Sequence, residues 1–130
     1  MMKILVLIKP GFLDKTKEVI SAYATLGYSE IQRTTIILTK EQCKVLWGDI
    51  EQKEQQGLFP EGYFEEYCEY EMSDYVNCIC LEKEGEISYQ EVIDMKKQLR
   101  KKYNLHGIRD LLHTSDSTSN AEQEIQCIFG

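Results

Sequence analysis

The sequence predicts an α+β fold, a ferredoxin-like βαββαβ sandwich whose antiparallel four-stranded sheet carries added helices. Two observations carry this reading. Apolar runs of strand length and helical periodicities follow one another as strand, helix, strand, helices, strand, helix, strand, helix. The chain is also 130 residues long, enough for one hydrophobic core and short for two, so residues 1–130 are read as a single domain.

Taken in order, residues 3–8 (KILVLI) form a nearly continuous apolar run stopped by Lys9-Pro10-Gly11, which reads as a buried central strand entering a turn. Asp14 is the expected N-cap of a helix with Val19, Ile20, Tyr23 and Leu26 on one face, terminated at Gly27. Ile31, Arg33, Thr35 and Ile37 share a face of a second strand running on to Leu38. Thr39-x-x-Gln42 is a capping-box pattern that opens a helix through about Trp47. Residues 48–60 are polar and end in Pro60, which predicts a surface excursion.

Tyr63, Phe64, Tyr67 and Cys68 then recur at helical spacing and predict a helix with an aromatic face. Residues 75–81 (YVNCICL) read as the third strand, followed by an acidic turn over 82–86. Val92, Met95 and Leu99 mark an amphipathic helix ending in Arg100-Lys101-Lys102, and a short strand is predicted over 108–112. Ser119-x-x-Glu122 is expected to cap a last helix whose apolar side is Ala121, Ile125, Ile128 and Phe129.

Charge excludes some functions. With 15 Lys+Arg against 22 Asp+Glu the net charge is −7, unsuited to gripping nucleic acid or an anionic membrane through bulk electrostatics. A phosphate-bearing ligand must therefore be held by a few locally placed cations. The 5 cysteines are an odd number without disulfide-framework spacing, which fits a reducing compartment. The apolar run at residues 4–8 is too short to span a bilayer, and the amino terminus lacks the pattern of a secretory signal, so a cytoplasmic protein is expected. Cys78 and Cys80 fall on one face of a strand, but buried free thiols explain them more simply than a metal site, and no protein-held metal is expected.

Candidate chemistry centres on few residues. Of the two histidines, His106 and His113, the second lies in DLLHTSDS, at the exit of an apolar strand. It reads either as a structural histidine or as an oriented nucleophile toward phosphorus, with one ring nitrogen held by a carboxylate. Glu124, on the helix that returns after the turn, is the candidate carboxylate. Lys9 at the end of a buried strand is either a snorkelling lysine or an ammonium projecting over a pocket. Arg100 ends a helix, where the dipole favours a cation with or without a ligand.

Taken together, these residues resemble the nucleoside diphosphate kinase family at both ends of the chain and in the same order. LVLIKPGFLDK is similar to the family's first strand and lysine-proline turn. HTSDSTSNAEQEI is similar to its active-site segment, a histidine-glycine-serine-aspartate-serine run followed by a helix carrying glutamate. YFEEYCEYEMSDYVNCICLE resembles the nucleotide-binding helix hairpin and the following strand, and Arg100 precedes His113 by the family's thirteen residues.

The resemblance implies a transferase, a kinase that moves the γ-phosphate of a nucleoside triphosphate to a nucleoside diphosphate by a ping-pong route through phosphohistidine at His113. Glu124 would hold the other ring nitrogen, and Ser115 would hydrogen-bond near that pair. Lys9, Arg100 and Asp110 would lie along the nucleotide phosphates and sugar. Tyr63 falls where the family places a base-stacking phenylalanine, and such stacking tolerates any base. Magnesium would arrive with ATP, on the nucleotide phosphates and water.

The chain also departs from the family pattern. Asp110 stands for an asparagine, bringing a carboxylate near the phosphate path. Thr114 stands for the glycine after the histidine, which implies crowding beside the reacting phosphorus, and Trp47 stands for a tyrosine. The stretch between Glu82 and Arg100 is shorter than in the family, leaving Lys96 or Lys97 as candidates for a second phosphate-contacting cation. A homo-oligomer is expected, though not the hexamer in particular. The alternative to an active kinase is a catalytically weak or inactive relative that binds nucleotide or a protein partner on the same scaffold.

Overall fold

The computed structural model describes residues 1–105 and 107–130, so His106 lies outside the described residues. The first apolar run becomes strand β1 (Met2–Ile8), buried along nearly its whole length. Strand alternation sends Ile4, Val6 and Ile8 into one hydrophobic cluster and Leu5 and Leu7 into another, so β1 is covered on both faces. Each such side chain contributes roughly 1.5–3 kcal/mol by leaving water. The sheet has the order β2 (Ser29–Ile36), β3 (Val76–Lys83), β1, β4 (Leu112–Thr114), with all neighbours antiparallel. That order is the predicted ferredoxin-like one.

Helices α1 (Thr16–Ala24) and α5 (Tyr89–Lys102) cover one face with Val19, Tyr23, Val92 and Leu99. The other face is covered by α2 (Lys40–Leu46), α4 (Tyr63–Glu71) and α6 (Thr118–Phe129), through Cys43, Leu46, Phe64, Tyr67 and Ile125. His113, the candidate nucleophile, lies on this second face. Among the described residues no helix is long and apolar enough to cross a membrane.

Several predicted boundaries move. Asp14 caps nothing: it sits in a 3-10 turn (Leu13–Lys15), and α1 starts only at Thr16. β2 stops at Ile36, short of Leu38, and Ile31 and Ile37 on the predicted face are exposed, because β2 is an edge strand with a register irregularity at Glu30/Gln32. The predicted surface excursion contains helix α3 (Gly48–Gln55). From Glu51 on its residues are good helix formers even without an apolar stripe, and Glu54 accepts hydrogen bonds from the backbone N–H groups of Gly62 (3.0 Å) and Phe64 (2.6 Å), closing the start of α4.

The strand predicted over 108–112 is displaced to β4, because a turn at Leu111 intervenes. Ser117 rather than Ser119 caps α6, accepting from the Asn120 N–H at 3.1 Å. By contrast the capping box at Thr39 and Gln42 forms as predicted.

Candidate active site

β4 is brought beside β1 in a register that sets His113 opposite Leu7, and thus on the face covered by α2, α4 and α6. The chain reaches it through Leu111, a non-glycine residue at φ 84 whose flanking Leu112 N–H donates to the Asp110 carbonyl at 3.1 Å. This is a γ-turn of the rarer, strained hand, costing on the order of 1–3 kcal/mol. Its carbonyls are all held. Arg100 donates from Nε to Asp110 O (3.1 Å) and from Nη2 to Leu112 O (2.8 Å), and the Lys9 N–H donates to Leu111 O (2.9 Å).

Behind His113 stands a buried relay. The Leu5 N–H donates to Ser115 Oγ (3.0 Å), and Ser115 Oγ donates to Glu124 Oε1 (2.9 Å). The same Oε1 lies 3.1 Å from His113 Nε2, at hydrogen-bond distance although the alignment falls short of a formed bond. Such contacts commonly tighten when ligand binds. A carboxylate facing Nε2 favours the proton there and leaves the lone pair on Nδ1. The Trp47 ring meets the imidazole edge to face at 5.4 Å and restricts its rotation.

A cavity of about 650 Å³, within the range of small-ligand sites, opens in front of His113. Its wall includes Trp47, Tyr67, Lys96, Arg100, Asn120 and Glu124. Lys44 and the carboxylates Asp49 and Asp116 also reach it.

Lys9 does not reach this wall. It is fully buried, and its ammonium lies 2.6 Å from Asp110 Oδ1, donates to the Tyr67 hydroxyl (2.6 Å) and to Ile108 O (3.2 Å), and sits 3.5 Å from Glu71 Oε1. Asp110 Oδ2 in turn pairs with Arg100 Nη2 at 2.9 Å. Glu71 is equally buried, and neither of its oxygens has a hydrogen bond. Burial therefore outweighs the nearby ammonium and pushes its carboxyl up to about 7 from 4.5.

The folded protein keeps a proton on Glu71 that the unfolded chain releases above about 4.5, so this group's contribution to stability is lost as pH rises from about 4.5 through about 7. Urea unfolding of Glu71→Gln should lose that decline and exceed the parent's stability above pH 7 by about 1–3 kcal/mol. A parent whose stability is flat across the window would show that Glu71 is ionised throughout.

The structure thus brings together His113, Glu124, Ser115 and Arg100, with Lys9 and Asp110 joined behind them. Tyr63 is set apart from the cavity wall. Its ring stacks on Phe59 at 4.5 Å and tilts against Tyr67 at 6.3 Å, and Tyr67 tilts against Trp47 at 5.3 Å, so an aromatic row leads from Phe59 toward His113.

The family model for nucleoside diphosphate kinase matches residues 3–130. The chain belongs to the nucleoside diphosphate kinase family. Solved structures of family members share its fold. The apo nucleoside diphosphate kinase of Encephalitozoon cuniculi superposes with a TM-score of 0.76 at 18% identity, covering 100% of this chain and 90% of that one. The nucleoside diphosphate kinase of Aquifex aeolicus gives 0.74 at 19% identity, over 99% and 95%. A search of curated proteins finds no match.

Among the departures from the nucleoside diphosphate kinase pattern, Thr114 is buried and belongs to the cavity lining beside His113. Thr114 is in register with Val6, on the opposite sheet face from His113, so its side chain points away from the imidazole. Sequence reasoning passed over Tyr67 and Glu71 as site residues. A signal existed: Phe64, Tyr67, Cys68 and Glu71 form the buried stripe of α4, and a carboxylate on such a stripe demands a cation. Trp47 carried no comparable signal, because its approach to the imidazole depends on how α2 packs.

Among the described residues no three His, Cys, Asp or Glu side chains gather into a cation site. Asp116 already accepts from Asn120 Nδ2 at 2.5 Å.

Proposed function

We propose that the protein is a nucleoside diphosphate kinase working through phosphohistidine at His113. The observation that carries this is the Ser115–Glu124–His113 relay at the back of a cavity lined by Arg100 and Lys96. His113 Nδ1 attacks the γ-phosphorus of a nucleoside triphosphate, the bond to the β,γ-bridging oxygen breaks, and the diphosphate leaves. A terminal oxygen of the second diphosphate then attacks that phosphorus, an O–P bond forms, the N–P bond breaks and the histidine is freed. Glu124 stabilises the positive charge the ring acquires, and Ser115 keeps that carboxylate aimed. Magnesium supplies charge neutralisation on the phosphates when bound.

Phe59 and Tyr63 provide stacked aromatic faces for a base at the outer end of the row, consistent with broad base tolerance. The reading includes a homo-oligomer, supported by the exposed edge strand β2, and a cytoplasmic location, supported by five free cysteines.

Incubation with magnesium and γ-labelled ATP should yield acid-labile, base-stable label on the protein, chased into GTP by GDP. Nucleotide binding without label would select a binding module instead, a reading motivated by the Asp110 carboxylate already paired to both Lys9 and Arg100.

A further inference from the structure

A protein of net charge −7 has to hold polyphosphate with local cations, and the cations around His113 are not equally free. An ammonium has three protons to donate. Those of Lys9 face Tyr67 OH, Ile108 O and Asp110 Oδ1, and its side chain is closed off from the cavity by the Trp47 and Tyr67 rings, 5.5 and 4.8 Å from Nζ. Arg100 reaches the cavity but is already paired with Asp110 and committed to two carbonyls.

Lys96 differs from both. It lies one helical turn before Arg100 on α5, on the cavity wall that His113 also lines, and is half-buried. Among the described residues no carboxylate comes within ion-pair distance of its ammonium. Burial first, and then repulsion by Arg100, hold its pKa below that of an ordinary lysine. The charged ammonium is thus penalised in the empty cavity, and an anion placed there removes the penalty. The neighbouring Lys97 lines a different, open surface with Asn104 and Gly107. Lys44 is on the same wall as Lys96 but exposed, where water already solvates it.

We infer that Lys96, together with Arg100, anchors the phosphate chain of the nucleotide, while Lys9 is a structural cation neutralised by Asp110. The inference rests on the nucleotide-phosphate reading of this cavity. Lys96 approaches from the α5 side and meets the phosphates as a point charge, and Arg100 adds its cavity-facing edge without surrendering the turn at Leu111.

The chain has 1 tryptophan, and Trp47 forms part of the cavity wall, so its fluorescence reports occupancy. Wild type, Lys96→Gln, Lys96→Arg and Lys97→Gln are each titrated with ADP, inorganic pyrophosphate and adenosine. Lys96→Gln should bind ADP and pyrophosphate about tenfold or more weakly, with adenosine unchanged. Lys96→Arg should stay within about threefold of wild type, and Lys97→Gln should match it. Equal ADP affinity in wild type and Lys96→Gln, or a loss shared equally by adenosine, overturns the inference.

The two readings separate cleanly. A protein that labels His113 but is indifferent to Lys96→Gln overturns the anchor alone. One that binds pyrophosphate through Lys96 but never forms phosphohistidine overturns the kinase reading alone. Wild type that binds neither ADP nor pyrophosphate overturns both.

Discussion

His113→Ala should reduce ATP-to-GDP phosphoryl transfer by on the order of 10⁴-fold or more, because no other group on the cavity wall presents an imidazole lone pair. Nucleotide binding should survive, since Arg100 and Lys96 are untouched. The relay gives the loss an internal comparison. Glu124→Gln keeps a hydrogen-bond acceptor for Ser115 Oγ but removes the charge opposite His113 Nε2, so its rate should fall between those of wild type and His113→Ala. Transfer of label from ATP to GDP, measured alongside nucleotide affinity, checks both variants. A His113→Ala protein that still transfers at the parent rate would remove the phosphohistidine from the mechanism.

Lys9→Met should destabilise the fold by about 3–5 kcal/mol, the usual cost of leaving buried carboxylates without their cation. Glu71 would lose the ammonium 3.5 Å away, and Asp110 would keep only Arg100. Against a typical stability of about 5–15 kcal/mol such a loss brings a domain close to its threshold. The double variant Lys9→Met, Glu71→Leu should recover part of it, because it also removes one of the two buried carboxyls left without the ammonium. Urea unfolding at neutral pH measures both. A loss below about 1 kcal/mol for Lys9→Met would mean that the ammonium is solvated rather than enclosed.

These effects attach to residues whose visibility in the sequence differs. β1, α2 and α4 were legible because their signals are local: a continuous apolar run, a Thr39/Gln42 capping box, and an aromatic stripe at helical spacing. The last strand was misplaced because the predictor of its start, the apolar run from Ile108, continues through Leu111, where the backbone turns at positive φ. Such a turn is held from outside, by Arg100 and Lys9, and has no signature in its own residues. In α3 the failure ran the other way. The polar segment predicted as a surface excursion holds a helix, which packs on the core through Ile50 alone of its own residues while Glu54 closes the start of α4.

The site divides along the same line. His113 and Glu124 were legible as candidates from the strand exit and the helix that returns after it, whereas Ser115 entered only through the resemblance to the family. The direction of the Thr114 side chain is not legible from its place next to His113, because strand alternation sends it to the other face.

By itself, then, the sequence determined the order of strands and helices, the ferredoxin-like class and the family-like motifs at its two ends, all of them encoded in the periodicity and spacing of near neighbours. Only the tertiary structure decided which cations are free. Lys9 meets Tyr67 across 58 residues of chain, and Arg100 and Lys9 converge on one Asp110 carboxylate from a helix and a strand end. Lys96 and Lys97 are indistinguishable as letters, yet about 100° of helical rotation puts the first on the cavity wall and the second on another surface. Whether a charge is neutralised or available depends on burial and on partners distant in the chain, and those exist only once the sheet and its helices have packed.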